Sequence, residues 1–520
     1  MPKKNDVCEK CGEQLNAVGH CTNRSCTKSK NNDNHMPESE GDLSKEQKNA
    51  INFKNDTDFL IRGMPGCRKT TVIVHRAMKF VADFEKQYGE GKGKILIVAF
   101  NKALISYVQK MIRTSKDLST TQKNRIEVKT FHQMASSVLR KMGISTRKRA
   151  TEREKDEAMR TAIARRKSDG PHRLLEKSLE FWKEEVQWMK GWMKPERETY
   201  INKMPRTGRG TSVRVTQADK NIIFDVYEFF EEELDRKGLS EWDDLALELY
   251  GNMDQLTDEH KYDHILIDEA QDFPPVWLIT INKLARFSLT VAADVAQKIY
   301  KRAFSFKDCG IHVTGRRSRT LGKSYRCTKE IVALAQAFRD QMKRIQNSDE
   351  LAQLPIPDHD GVKPVWIHRD DKDKAMRMLI DTLKSFNMKF NTKNLAILAY
   401  RNTDCKSVVA NLKAAGLDAQ LVKRDQLSID GELIPVTTLH QVKGLEFRHV
   451  FIWGLRDSVI PGASLHYKDA DAENEEVLDY GRALLYVAVT RAKEGVWMFS
   501  DSKTPSRFIS ELDHDLYKKL

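Results

Sequence analysis

The chain has 520 residues, 40% of them hydrophobic and 31% charged, with a formal net charge of +14. That length holds several hydrophobic cores, which excludes a mini-protein stapled by disulfides, and no stretch approaches the roughly 18 apolar residues of a membrane-spanning helix. The positive balance favours polyanionic partners, because a basic surface releases counterions when it meets nucleic acid.

At the start of the chain, "CEKCGEQLNAVGHCTNRSC" places Cys8, Cys11, Cys21 and Cys26 at C-x2-C-x9-C-x4-C spacing. Two close pairs of thiolates can close a tetrahedral Zn²⁺ site, with His20 as a substitute ligand; in a reducing compartment a disulfide pair is the poorer reading. Residues 1–30 are therefore expected to form a zinc-ribbon-like module and 31–42 a polar linker. The first residues carry no apolar signal region, so the expected location is the cytoplasm. From Leu43 the texture changes. The runs "FLIRG" and "KILIVAFN", each followed by helical periodicity, predict a parallel α/β sheet over 43–139. Residues 140–250 read as a helical insertion, rich in charge with apolar residues at three- and four-residue spacing. Strand texture returns in "YDHILIDEAQDF" and "SLTVAADVAQKIY", completing the first α/β unit over 251–315. The strands "VKPVWIHR", "NLAILAYRN", "ELIPVTTLHQ", "HVFIWGL" and "GVWMFS" build a second α/β unit over 316–520.

Two stretches carry nucleotide chemistry. "RGMPGCRKTT" (62–71) follows a predicted strand and opens a predicted helix, the setting of a phosphate-binding loop. Gly63, Gly66, Lys69, Thr70 and Thr71 stand where such a loop needs them, whereas Arg68 occupies the place of a glycine. A glycine serves where backbone must pass close to the phosphates, so Arg68 crowds them unless its side chain turns outward. "ILIDEAQDF" then delivers Asp268 and Glu269 at a strand end, one carboxylate for Mg²⁺ and one to activate the attacking water.

Ordered along the chain from Leu43 to Leu512, these motifs resemble superfamily 1 helicases of the UvrD/Rep/PcrA type. The resemblance implies two RecA-like domains with ATP bound between them. "LSKEQKNAI" is similar to the adenine-reading segment, with Gln47 as base contact. "VAFNKAL" and "VKTFHQMA" resemble segments lining a single-strand track, which implies DNA contacts at Phe100, Asn101, Thr130, Phe131 and His132. "SEWDDLAL" is similar to the acidic segment that precedes the metal-binding strand. "AADVAQKIY", with Ala293 in place of a glycine, implies Gln297 as γ-phosphate sensor and Tyr300 as a neighbour of the DNA. "LGKSYRC" supplies Arg326, "TTLHQVKGLEF" supplies Thr438, His440 and the ribose-side Glu446, and "LLYVAVTRAK" supplies Arg491. Only about 110 residues separate Arg326 from Thr437, which implies a compact form without the large insertion of the second half. Read by composition alone, Phe100, Phe131 and Tyr300 beside Lys102, His132 and Lys298 offer faces for bases and cations for phosphates.

The expected function is an ATP- and Mg²⁺-dependent motor moving 3′ to 5′ on single-stranded or partly duplex DNA. A nucleic-acid-binding protein with a helicase fold and an ATPase weakened through Arg68 is the alternative. No nuclease motif is present, so a cutting partner would be a separate protein.

Overall fold

The computed structural model describes residues 43–64, 66–100, 102–193, 195–204, 215–294, 305–322, 326–343, 357, 359–389, 395–422, 433–442, 445–462 and 472–520. The proposed zinc ligands Cys8, Cys11, Cys21 and Cys26, the linker 31–42, and Asn101, Gln297 and Tyr300 lie outside these residues.

The first sheet comprises β1 (Phe59–Gly63), β2 (Ile95–Val98), β3 (Ile126–Lys129), β4 (Tyr262–Ile267), β5 (Ala285–Ala293) and β6 (Ser318–Leu321). Its order is β3-β2-β4-β5-β1-β6, with every pair parallel. Alternate side chains face opposite cores, as a pleated strand requires. Leu60, Leu96 and Val98 enter one; Phe59, Ile61, Ile95 and Ile97 enter the other. Helices α1 (Lys45–Ile51), α2 (Lys69–Tyr88) and α3 (Lys102–Thr114) pack on one face, and α4 (Phe131–Lys141) covers the other. Because both faces are buried, β2 and β4 read as unbroken apolar or buried runs rather than alternating ones.

The insertion is narrower than 140–250. Its own core joins α5 (Glu152–Ser168), α6 (Leu179–Gly191) and α7 (Gln217–Arg236), and a short parallel pairing of Lys148–Arg149 with Leu239–Ser240 closes its neck. By contrast, α8 (Asp244–Gly251) sends Leu245, Ala246 and Leu249 into the core of the first sheet beside Phe131 and α9 (Pro275–Leu284). The boundary expected at 315 also differs from what is observed: β6 pairs with β1, Gly63 opposite Leu321, so the first sheet extends past it.

The second sheet contains β7 (Val365–His368), β8 (Leu395–Ala399), β9 (Ala419–Leu421), β10 (Ile434–Thr438), β11 (Phe447–Trp453), β12 (Ala492–Ser500) and β13 (Lys518–Lys519), in the order β9-β10-β8-β11-β12-β7-β13 and again all parallel. Helices α10 (Lys329–Asp340) and α13 (Ala472–Val489) pack on one face, α11 (Lys372–Lys389) and α12 (Asn402–Ala414) on the other. The architecture is α/β, with two parallel sheets each covered on both faces. Among the described residues no helix is long and apolar enough to cross a membrane.

Candidate nucleotide and nucleic-acid site

In parallel α/β sheets, ligand-binding groups gather at the carboxyl ends of the strands, where loops lead into helices. Here β1 ends in the phosphate loop, β4 in Asp268 and Glu269, and β5 in Asp294. A Cβ at Gly63 would collide with Cys67 Sγ, which explains a glycine at the entry to the loop. Gly66 has φ 83°, a conformation glycine adopts freely. Arg68 is the departure. It is the N-cap of α2 with φ 64° and ψ 40°, in the left-handed region. The glycine missing from this position would therefore have relieved backbone strain as well as crowding.

Lys69 is buried and turns its ammonium back into the loop, donating to the carbonyls of Gly63 at 2.8 Å and Met64 at 3.2 Å. Burial works against its charge, but Cys67, Glu269, Asp294 and Asp268 hold its pKa above the ordinary lysine value. Thr70 Oγ1 donates to Asp268 Oδ2 at 2.5 Å across 198 residues of sequence. Thr71 is buried, whereas Thr70 is half-buried beside the carboxylate. Asp268 has no exposed surface, and burial together with the neighbouring Glu269 pushes its pKa up to about 6, against the pull of Thr70 and Lys69. A hydroxyl and a carboxylate side by side are a donor set suited to a hard cation such as Mg²⁺.

Glu269 has φ 54°, and its carboxylate accepts from Gln271 Nε2. The same carboxamide accepts from the Asp294 N–H at 3.1 Å, so Gln271 joins the ends of β4 and β5. Gln47 is 1% exposed: its Oε1 accepts from Ser44 N, and its Nε2 donates to the Cys67 carbonyl at 3.3 Å. Each end of that carboxamide holds a partner within the protein, so Gln47 ties the start of α1 to the phosphate loop.

The second domain brings its cations to the same cleft. Arg326 forms an ion pair with Glu446, and Lys493 lies 3.4 Å from the same carboxylate. Although burial works the other way, Arg326, Lys493 and Arg491 hold Glu446 below the usual carboxylate range. Arg491 is 3% exposed and donates through Nε to the Val487 carbonyl at 3.1 Å. Burial and the field of Arg326 lower its pKa, and Glu269 and Glu446 support its charge. Tyr107 on α3 also faces this cleft. Burial and Glu446 push its hydroxyl up to about 12, opposed by Arg68 and Arg326. Sequence reasoning missed Tyr107, Gln271 and Asp294, although Gln271 stands within "ILIDEAQDF" and Asp294 within "AADVAQKIY".

On the expected nucleic-acid track the structure sorts the aromatics. Phe131 is a correction: it is 1% exposed and stacks on Trp277 at 4.3 Å and 3°, so its ring belongs to the core and offers no face to a base. Thr130 serves as the N-cap of α4, its hydroxyl accepting from Gln133 N at 3.2 Å. Phe100 is half-buried against the same core. His132 is half-buried and meets Trp242 edge-on at 5.4 Å. Trp242 is 50% exposed, and sequence reasoning missed it within "SEWDDLAL". In the second domain Thr438 is buried, while His440 lies between Tyr400 at 5.2 Å and Tyr480 at 6.0 Å.

Among the described residues one acidic cluster has metal-like spacing, Glu231, Glu241 and Asp244. The fully buried Lys190 ammonium lies 2.7, 2.8 and 2.6 Å from these three carboxylates, so a cation of the protein's own already fills it.

Comparison with known proteins places these motifs in context. The UvrD/REP helicase N-terminal domain family matches residues 43–310, and the UvrD-like helicase C-terminal domain family matches 418–503. A probable DNA helicase II homolog of Mycoplasma capricolum is 30% identical over 160 residues, 29% of this chain and 20% of that protein. The ATP-dependent DNA helicase PcrA of Bacillus subtilis is 32% identical over 133 residues, 23% of this chain and 17% of the relative. PcrA of Leuconostoc citreum is 28% identical over 187 residues, 34% and 23% of the two chains. The matched segments thus span about a fifth of the length of these curated relatives.

Proposed function

The chain belongs to the UvrD/REP helicase family, and from that premise we propose that it is an ATP-dependent motor acting on single-stranded or partly duplex DNA. ATP would lie with its phosphates over the loop 63–71, and Lys69 would leave the loop carbonyls to reach them. Thr70 and Asp268 would hold Mg²⁺, which screens phosphate charge when bound. Glu269 would orient and deprotonate the attacking water. Arg326 and Arg491, from the second domain, would stabilise charge developing on the γ-phosphate only when the cleft is shut, so hydrolysis and domain closure are coupled. Strand movement follows from that cycle, and its 3′ to 5′ direction rests on the resemblance of the motifs carrying Glu446 and Arg491.

The observation that carries this reading is the hydrogen bond of Thr70 to Asp268 beside the phosphate loop, with the charges of Glu269 and Glu446, one from each domain, both acting on Arg491. A motor whose catalytic cations come from the other domain has a reason to keep them in one cleft. A single observation favours the weaker-ATPase alternative, the left-handed Arg68 at the loop. ATP hydrolysis with and without single-stranded DNA, in the natural chain and in Arg68→Gly, tests both. Stimulated turnover in both chains supports the motor. Turnover confined to Arg68→Gly makes Arg68 the lesion and supports the alternative. Silence in both, with no ATP bound, rules the motor out.

A further inference from the structure

A buried polar contact joins the two domains beside the cleft, and none of the roles above uses it. Asp294 is the residue that follows β5 and is 5% exposed; Tyr486 lies on α13 of the second domain and is fully buried. The Tyr486 hydroxyl donates to Asp294 Oδ2 at 3.2 Å. Each end of this bond is tied to a catalytic group. On the first-domain side the Asp294 N–H donates to Gln271 Oε1 at 3.1 Å, and the other end of that carboxamide donates to Glu269. On the second-domain side, Val487 follows Tyr486 and its carbonyl receives Arg491 Nε at 3.1 Å. The phosphate loop shares the junction: Met64 packs into the second domain's core with Cys327 and Tyr486.

We infer that the Tyr486–Asp294 hydrogen bond is the closure contact of the motor, with Tyr486 and Asp294 acting as positioning residues that set Glu269 and Arg491 against each other when the cleft shuts. The physical reason is the asymmetry between the shut and open states. Shut, the carboxylate lies out of water, where a missing donor is expensive; open, water supplies the donor. The tyrosine hydroxyl therefore stabilises the shut state selectively, and a group that favours one of two states shifts their populations by that difference.

The inference rests on the proposed ATPase and is tested in whichever of the natural and Arg68→Gly chains hydrolyses faster with single-stranded DNA. Tyr486→Phe removes one oxygen and keeps the packed ring. It is expected to lower DNA-stimulated kcat about tenfold while KM for ATP stays within about twofold, because the phosphate loop is untouched and only closure is impaired. Asp294→Asn keeps an oxygen that can accept from Tyr486 and is expected to retain more turnover than Asp294→Ala, which serves as the test should Tyr486→Phe fold poorly. Wild-type kcat in Tyr486→Phe would overturn the inference, as would kcat and KM changing together with a loss of thermal stability. Equal losses in Asp294→Asn and Asp294→Ala would also overturn it. If neither parent chain hydrolyses or binds ATP, the motor reading fails as well; a stimulated parent with an indifferent Tyr486→Phe removes only the closure contact.

Discussion

Arg68 caps α2 without a side-chain capping bond and with left-handed backbone, a conformation that costs an L-residue roughly 1–2 kcal/mol. Arg68→Gly therefore has two separable effects, relief of that strain and removal of a long side chain from the phosphate loop. At Asp268 burial decides the protonation. Its pKa is raised from the ordinary aspartate value to about 6, so the folded protein holds the proton more tightly than the unfolded chain does. The stability this proton confers is complete at low pH and is lost as pH rises through that interval. A divalent cation needs the ionised form, so protons compete with Mg²⁺ below about pH 6. Binding of a Mg²⁺-nucleotide analogue is expected to weaken about tenfold between pH 7 and pH 5, as the ionised fraction falls. Titration of a fluorescent analogue measures this. Asp268→Asn should bind weakly and almost without pH dependence, and an unchanged wild-type affinity down to pH 5 would contradict the burial argument.

At the level of elements, two buried cations hold functional pieces in place, and neither was visible in the sequence. Arg76 lies mid-helix in α2 with no exposed surface, and donates to the carbonyls of Ala50, Ile51, Phe53 and Lys54 and to Thr290 Oγ1. It receives the carboxyl end of α1, which carries Gln47, and burial lowers its pKa to about 9. Nothing in "VIVHRAMKF" distinguishes such an arginine from a solvated one. Lys190 likewise ties α6 and α7 of the insertion to Glu241 and Asp244 at the start of the parent domain's α8. Lys190→Met keeps an unbranched side chain, one atom shorter, but leaves three carboxylates facing one another. Losing one member of a buried ion cluster destabilises by about 3–5 kcal/mol. Urea unfolding of Lys190→Met should show a loss of that size, and a loss below about 1 kcal/mol would mean that the cluster is solvated like a surface pair. The phosphate loop and "ILIDEAQDF" were legible because their chemistry demands fixed residue types at strand ends. The ends of the insertion were not, because α4 and α8 carry the same amphipathic spacing whether they pack on the insertion or on the parent sheet.

Over the whole molecule, the same limit applies to the proposed DNA track. A motif places an aromatic in a segment, but only packing decides which way the ring points. Phe131 and Trp242 illustrate this, since the first is sealed against Trp277 and the second is half exposed beside His132. Trp242 also lies between Glu241 and Asp244, so the Lys190 cluster fixes the loop that presents it. If the strand crosses the carboxyl ends of both sheets, Trp242 with His132 on one domain and His440 with Tyr400 and Tyr480 on the other supply its stacking surfaces. Stacking of one base on an aromatic contributes about 1–3 kcal/mol, so Trp242→Ala should weaken single-stranded DNA binding about 5- to 150-fold. Its thermal stability should change little, because half of that ring already faces water. Phe131→Ala should behave in the opposite sense, losing about 3–5 kcal/mol of stability through the cavity it leaves. Its DNA affinity, measured well below its melting temperature, should stay close to that of the parent. Fluorescence anisotropy with a labelled oligonucleotide, read beside thermal unfolding of both variants, separates the two. The reverse pattern, a stable Phe131→Ala that no longer binds DNA and a Trp242→Ala that binds normally, would return the track to the side of the sheet that burial excludes here.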